Sequence, residues 1–164
     1  MREDGAQLGD ALLSGHCWSA QELTFAFPDS AADYGYDDHA GAFQALNAAQ
    51  KAAARAAFAM VASLTGLRFS ELEGQADRAA DLRLAMGGEP ATAWAYLPSA
   101  AEQGGDAWFN PHDYADPAIG TYAFATFLHE IGHALGLKHG HESGFAGRLP
   151  WEKDSHEYSL MTYR

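Results

Sequence analysis

Thr126-Phe127-Leu128-His129-Glu130-Ile131-Gly132-His133-Ala134-Leu135-Gly136-Leu137-Lys138-His139 is the stretch around which this chain is organised. His129 and His133 are four residues apart, so on a helix both imidazoles leave one face, roughly 6 Å apart at Cβ. That spacing lets two neutral imidazole nitrogens reach one Zn²⁺ at ~2.0–2.1 Å. Glu130 follows the first histidine directly and can place a carboxylate beside the metal rather than on it. Gly136 stands where a helix commonly ends in a left-handed residue, a conformation glycine adopts cheaply. The turn it permits swings His139 back as a third ligand. Three protein ligands with one open position describe a catalytic zinc site rather than a structural one. With eight His in 164 residues, shuffling yields H-E-x-x-H in roughly one sequence in forty, and about one in ten thousand once Gly136 and His139 are also required.

Working outward, residues 1–20 are mixed, and Gly5, Gly9 and Gly15 break any long helix. Leu23 to Phe27 alternates, is aromatic-rich and stops at Pro28, which predicts a first strand. Residues 28–38 form an Asp- and Gly-rich loop. From about Asp38 to Ser63 the alanine-rich sequence predicts the longest helix, with a buried stripe of Phe43, Leu46, Ala49, Ala53, Ala57, Met60 and Leu64. Leu67–Leu72 and Asp81–Met86 alternate as half-buried strands do; Ala91–Leu97 and Asp106–Asn110 supply a fourth and a fifth. Thr121 to Leu135 is the helix that carries the histidines, anchored by Phe124, Phe127, Leu128, Ile131 and Leu135. Beyond His139 the chain is glycine-rich and irregular; His141 and His156 are read as loop residues facing the cleft. His112, Asp113 and Asp116 lack the spacing of a second metal site and are read as turn residues.

Composition narrows the function classes. A formal charge of −12 repels nucleic-acid phosphates. No apolar run approaches the ~18–20 residues of a membrane span, and Met1-Arg2-Glu3-Asp4-Gly5 opens no signal peptide. Cys17 is the sole cysteine, which rules out an internal disulfide; it is expected as a half-buried free thiol.

His129 to His139 reads H-E-x-x-H-x-x-G-x-x-H, the signature of the metzincin zinc proteases, which also carry a downstream Met-turn. Ser159-Leu160-Met161-Thr162-Tyr163 resembles that turn, with Met161 22 residues after His139. Tyrosine two places after the methionine looks like the serralysin and astacin branches rather than the matrix metalloproteinases, and the lone cysteine sets the chain apart from astacins. Leu12–Gly15, Leu23–Phe27, Thr92–Pro98 and Asp154–Arg164 also resemble bacterial serralysins. Gly140 departs from the family, which usually carries proline after the third histidine.

The resemblance implies a two-lobed α/β (α+β) metzincin catalytic domain: a twisted mixed sheet of about five strands, two long helices, and a zinc cleft between the lobes. Residues 1–20 would be a pro-segment remnant or lead-in, and 21–164 the catalytic domain, ending short of the family's C-terminal helix. The cofactor implied is Zn²⁺ on His129, His133 and His139, with Tyr163 as a further ligand at rest. The reaction implied is endopeptide hydrolysis, with Glu130 as general base and Tyr163 donating to the oxyanion. Ala93, Trp94, Ala95 and Tyr96 would receive an extended peptide, while Gly136 and Met161 support the site. Partners implied are a protein or peptide substrate, a proteinaceous inhibitor, and another chain that supplies the C-terminal segment. By the same resemblance the location is secreted. The competing class is a metzincin-fold module that holds zinc for protein interaction without cleaving; the presence of Glu130 argues for the enzyme.

Overall fold

A computed structural model describes residues 5–36, 40–88 and 91–164. The chain runs α1 (Gly5–Asp10), β1 (Glu22–Ala26), α2 (Ala48–Leu64), β2 (Arg68–Leu72), β3 (Leu82–Met86), β4 (Ala93–Ala95), β5 (Ala107–Phe109) and α3 (Tyr122–Ala134), with short 3₁₀ turns between. Among the described residues five strands form one mixed sheet in the order β2-β1-β3-β5-β4. β1 is parallel to β2 and β3, and β3 to β5; β4 alone is antiparallel, pairing with β5 at the edge. The five predicted strands and both long helices are present.

The start of α2 differs from the expectation. Residues 37–39 lie outside the described part, Ala40–Ala42 is a 3₁₀ turn, and the helix proper begins at Ala48. Asn47 decides this. Its side chain accepts from the Gln50 amide while the Gln50 side chain accepts from the Asn47 amide, a reciprocal cap that satisfies two otherwise orphaned donors. The buried face is Gln50, Ala53, Ala54, Ala57 and Phe58, so Ala49, Met60 and Leu64, expected in the stripe, are exposed instead. Small alanines let the helix lie close on the sheet, and Phe58 stacks on Phe25 of β1 at 4.3 Å between ring centres.

β3 was expected to be half-buried; every one of its residues is buried. It lies between β1 and β5 with cover on both faces. Leu82, Leu84 and Met86 join the main core with Phe58, Phe109 and Phe127. Ala85 lies on the other face beside Tyr34 and Trp108. Arg83 is tolerated there because four of its five N–H groups are paired. It makes a two-pronged bond to Asp106 at 2.7 and 2.9 Å, and donates to the carbonyls of Asp33 and Glu102. Burial pushes the Asp106 carboxyl up to about 6 against the pull of Arg83 and of the Tyr36 hydroxyl, so it stays ionised at neutral pH. An alternating pattern with a polar middle residue is thus a central strand here, not an amphipathic one.

α3 is registered on the sheet by Phe127, whose ring stacks on Phe109 of β5 at 4.0 Å and 9°. Phe124, Ile131 and Ala134 extend that buried stripe. Each fully buried Phe or Ile contributes about 1.5–3 kcal/mol, so the pose of the histidine-bearing helix is set by the core. Cys17, expected half-buried, is exposed, because Trp18 beside it takes the inward position and donates to the Ala134 carbonyl.

Candidate metal centre

Thr121 caps α3 through a bond from the Phe124 amide, and the helix ends in a turn built on Gly136. The Gly136 amide donates to the His133 carbonyl and the Leu137 amide to the Gly132 carbonyl, the paired bonds of a Schellman motif. Gly136 has φ +108°, and a Cβ there would lie 2.2 Å from the His16 carbonyl oxygen. Glycine is therefore required twice over, by backbone conformation and by the close pass of the N-terminal segment. That segment runs beside the turn: Ser14 donates to the Gly136 carbonyl, and the Lys138 amide to that of Leu12.

The turn brings His139 to His129 and His133. The three Nε2 atoms stand 3.0, 3.0 and 3.2 Å apart. Each Nδ1 faces an acceptor: the Leu160 carbonyl for His129, the Leu137 carbonyl for His133, and the Glu142 carboxylate for His139, at 2.8, 2.8 and 2.9 Å. The proton of each ring is thereby assigned to Nδ1, which leaves three Nε2 lone pairs pointing at one another. Lone pairs so placed repel unless a cation lies among them. Four donors at ~2.0–2.1 Å around a tetrahedral ion stand roughly 3.3 Å apart, so the cluster fits zinc to within a few tenths of an ångström. Burial lowers His129 and takes His133 down to about 4, which keeps both in the neutral, ligating form.

Glu130, next to His129, is 6% exposed and lines cavities of about 270 and 370 Å³ on either side of the cluster. Burial lifts its carboxyl to about 8, near the pH at which a group that both takes up and gives back a proton works best. The Tyr163 hydroxyl reaches His139 Nε2, and its ring lies 4.4 Å from that of His139. Burial, and secondarily the charge of Glu130, raise the phenol above its ordinary range, which keeps it a donor. Met161 is buried beneath the helix, where a Cβ on Gly132 would meet its sulfur at 2.7 Å. Gly132 is therefore a supporting residue that sequence reading passed over; the side chain crossing beneath it comes from a turn 29 residues away.

The larger cavity is lined by Ala93, Trp94, Ala95 and Tyr96 together with Glu130, His133, His139 and Tyr163, so β4 borders the cluster. The Tyr96 amide donates to the Asp106 carbonyl, and the Asn110 amide to that of Thr92. In an antiparallel ladder such bonds alternate along the strand. Thr92, Trp94 and Tyr96 therefore pair inward with β5, and the amides and carbonyls of Ala93 and Ala95 turn outward, to the side of the cleft. His156 lines the smaller cavity with Thr126, Leu160 and Thr162. His141 stacks on the His139 ring at 5.5 Å and 14°.

Glu142 is the other residue that sequence reading missed. Burial opposes its ionisation, but its bonds to His139 outweigh that and hold its carboxyl below the ordinary range. A glutamate three residues after a histidine, in a glycine-rich loop, carries no signal of this contact. Among the described residues, the groups able to hold a metal are His129/His133/His139 and His139/His141/Glu142. His112, Asp113 and Asp116 belong to neither.

A family model described as matrixin matches residues 18–146. Serralysin A of Dickeya chrysanthemi is 33% identical over 153 residues, covering 86% of this chain and 31% of its own length. Serralysin of Proteus mirabilis is 28% identical over 185 residues, 99% of this chain and 37% of that protein. Metallopeptidase AprA of Pseudomonas marginalis is 30% identical over 155 residues, 87% and 32% respectively. The chain thus spans about a third of the length of these relatives. Among the described residues no helix is long and apolar enough to cross a membrane.

Proposed function

The chain belongs to the matrixin family, within which it is similar to the serralysins, and on that premise we propose that it is a zinc-dependent endopeptidase with Glu130 as general base. One observation carries the reading: three Nδ1-protonated imidazoles turn their Nε2 lone pairs on one point, 3.0–3.2 Å apart, with a buried carboxylate beside them.

His129, His133 and His139 would hold the ion through Nε2. When bound, zinc supplies a Lewis acid that polarises the scissile carbonyl and acidifies water near neutral pH. Glu130 accepts the proton of the attacking water and returns it to the leaving amine, a transfer worth about 10²–10⁴-fold. The walls that bury Glu130 keep bulk water from competing for that proton. Tyr163 rests on the cluster, swings off it when substrate arrives, and donates its O–H to the developing oxyanion.

A donor aimed at developing charge acts on the transition state more than on the ground state. Tyr163→Phe is therefore expected to keep zinc on the three histidines and to lower kcat by roughly ten- to a thousandfold with little change in KM. Steady-state kinetics alongside metal analysis checks this. An unchanged kcat would reduce Tyr163 to a packing residue.

The substrate is an extended peptide that adds as a strand to the free edge of β4, through the outward amides and carbonyls of Ala93 and Ala95. Backbone bonding of this kind is indifferent to sequence, so side-chain preference is left to the cavity lined by Thr126, His156 and Thr162. Proline at Ala95 removes an outward donor and leaves the ladder to β5 intact. Ala95→Pro is expected to weaken binding of a peptide inhibitor by about tenfold or more, one hydrogen bond's worth, with zinc content unchanged. Parallel loss of both would make β4 a folding element only. By the same likeness to serralysins, the enzyme acts outside the cell and meets a proteinaceous inhibitor there.

The deciding experiment is hydrolysis of casein by the 164-residue chain, with and without a chelator, alongside its metal content. Turnover that the chelator abolishes and zinc restores is expected. Stoichiometric zinc without turnover would mark a binding module instead.

A further inference from the structure

Resting on the metal-binding reading above, we propose that Glu142 is a positioning residue for His139, setting the tautomer and ring angle of the third ligand. The three histidines are not held alike. His129 and His133 lie on α3 and donate Nδ1–H to main-chain carbonyls, of Leu160 and Leu137. His139 lies past the helix in the loop, and its Nδ1–H goes to a side chain, Glu142 Oε1 at 2.9 Å. The second carboxylate oxygen accepts the His139 main-chain amide at 3.1 Å, and the Glu142 amide returns to the His139 carbonyl at 3.2 Å. One carboxylate thus clamps both the ring and the backbone of the ligand that the helix does not hold.

Glu142 is in turn held in place. Lys138 is 5% exposed, and its ammonium donates to the carbonyls of Glu142 and Ala11 at 2.7 and 2.5 Å. A buried cation is costly unless acceptors reach it. The two bonds therefore tie the Glu142 turn to the N-terminal segment. A carboxylate on the far nitrogen also makes an imidazole a stronger donor than a carbonyl does, because it stabilises the positive charge the ring takes up on ligating a cation.

The readout is metal affinity rather than activity. Loss of such an orienting group typically costs 10–100-fold. In competition with a chelator of known affinity, Glu142→Ala is expected to raise the zinc dissociation constant by that factor. Glu142→Gln, which keeps an oxygen to accept Nδ1–H, is expected to recover part of the loss. The metal-free unfolding midpoint of both variants should stay within about 2–4 °C of the parent. Parent-like affinity in the alanine variant overturns the proposal while leaving the metal site standing. So does a glutamine variant as weak as the alanine one, or an affinity loss matched by a fall in metal-free stability, which would make Glu142 a loop prop. A parent that binds no zinc would fail at the earlier step, the metal-binding reading itself.

Discussion

Glu130→Gln is expected to retain one zinc per chain and lose at least ~10²-fold in kcat, because it removes a proton acceptor without removing a ligand. The carboxylate and the amide are close in shape, and the site walls that bury Glu130 are unaltered, so fold and metal content should survive. A second readout comes from the metal-free chain. Burial raises the Glu130 carboxyl to about 8 from an ordinary 4.5, so the folded state disfavours its charge. Between those values the native state binds more protons than the unfolded one, and stability falls as pH rises. The glutamine variant has no such titration. Its metal-free unfolding midpoint should lose less between pH 5 and 8 than the parent's does. Turnover near the parental rate would remove Glu130 from the mechanism.

His133→Ala is expected to abolish zinc retention through dialysis, and turnover with it. His133 Nε2 lies 3.0 Å from each of the other two, so its loss leaves a two-ligand site open on the side of the Gly136 turn. If ~10 kcal/mol of zinc binding is shared among three ligands, each accounts for roughly a 10²–10³-fold change in affinity. The variant also frees the Leu137 carbonyl, worth about 1–3 kcal/mol if it stays buried and unpaired. Circular dichroism in the presence of chelator separates that fold effect from the metal effect. Zinc bound stoichiometrically to a folded His133→Ala would refute the ligand assignment.

The convergence of the three histidines was legible because their spacing is local. A four-residue step on a helix and a glycine at the helix end are short-range geometry, and both survive translation from sequence to structure without help from distant residues. The five strands were legible for the same reason, as period-two runs between breakers. The burial of β3 was not. Arg83 made β3 look amphipathic, whereas Asp106, 23 residues on, pairs with it and lets the strand lie at the centre of the sheet. The start of α2 was misplaced because alanine-rich sequence propagates a helix in either direction, and only the reciprocal bonds of Asn47 and Gln50 set its first turn.

What the sequence determined by itself was the chemistry on offer: three imidazoles, a carboxylate and a phenol, the first four within eleven residues and hence constrained by one helix and one turn. What tertiary structure decided was everything that makes those groups act together. It alone put the carbonyl of Leu160 on His129, Met161 under Gly132, the main chain of His16 against Gly136, and the outward amides of β4 beside the cluster. Each of these contacts joins residues far apart in the chain. Their formation depends on how the core closes around Phe109 and Phe127, and no local pattern in the sequence carries that information.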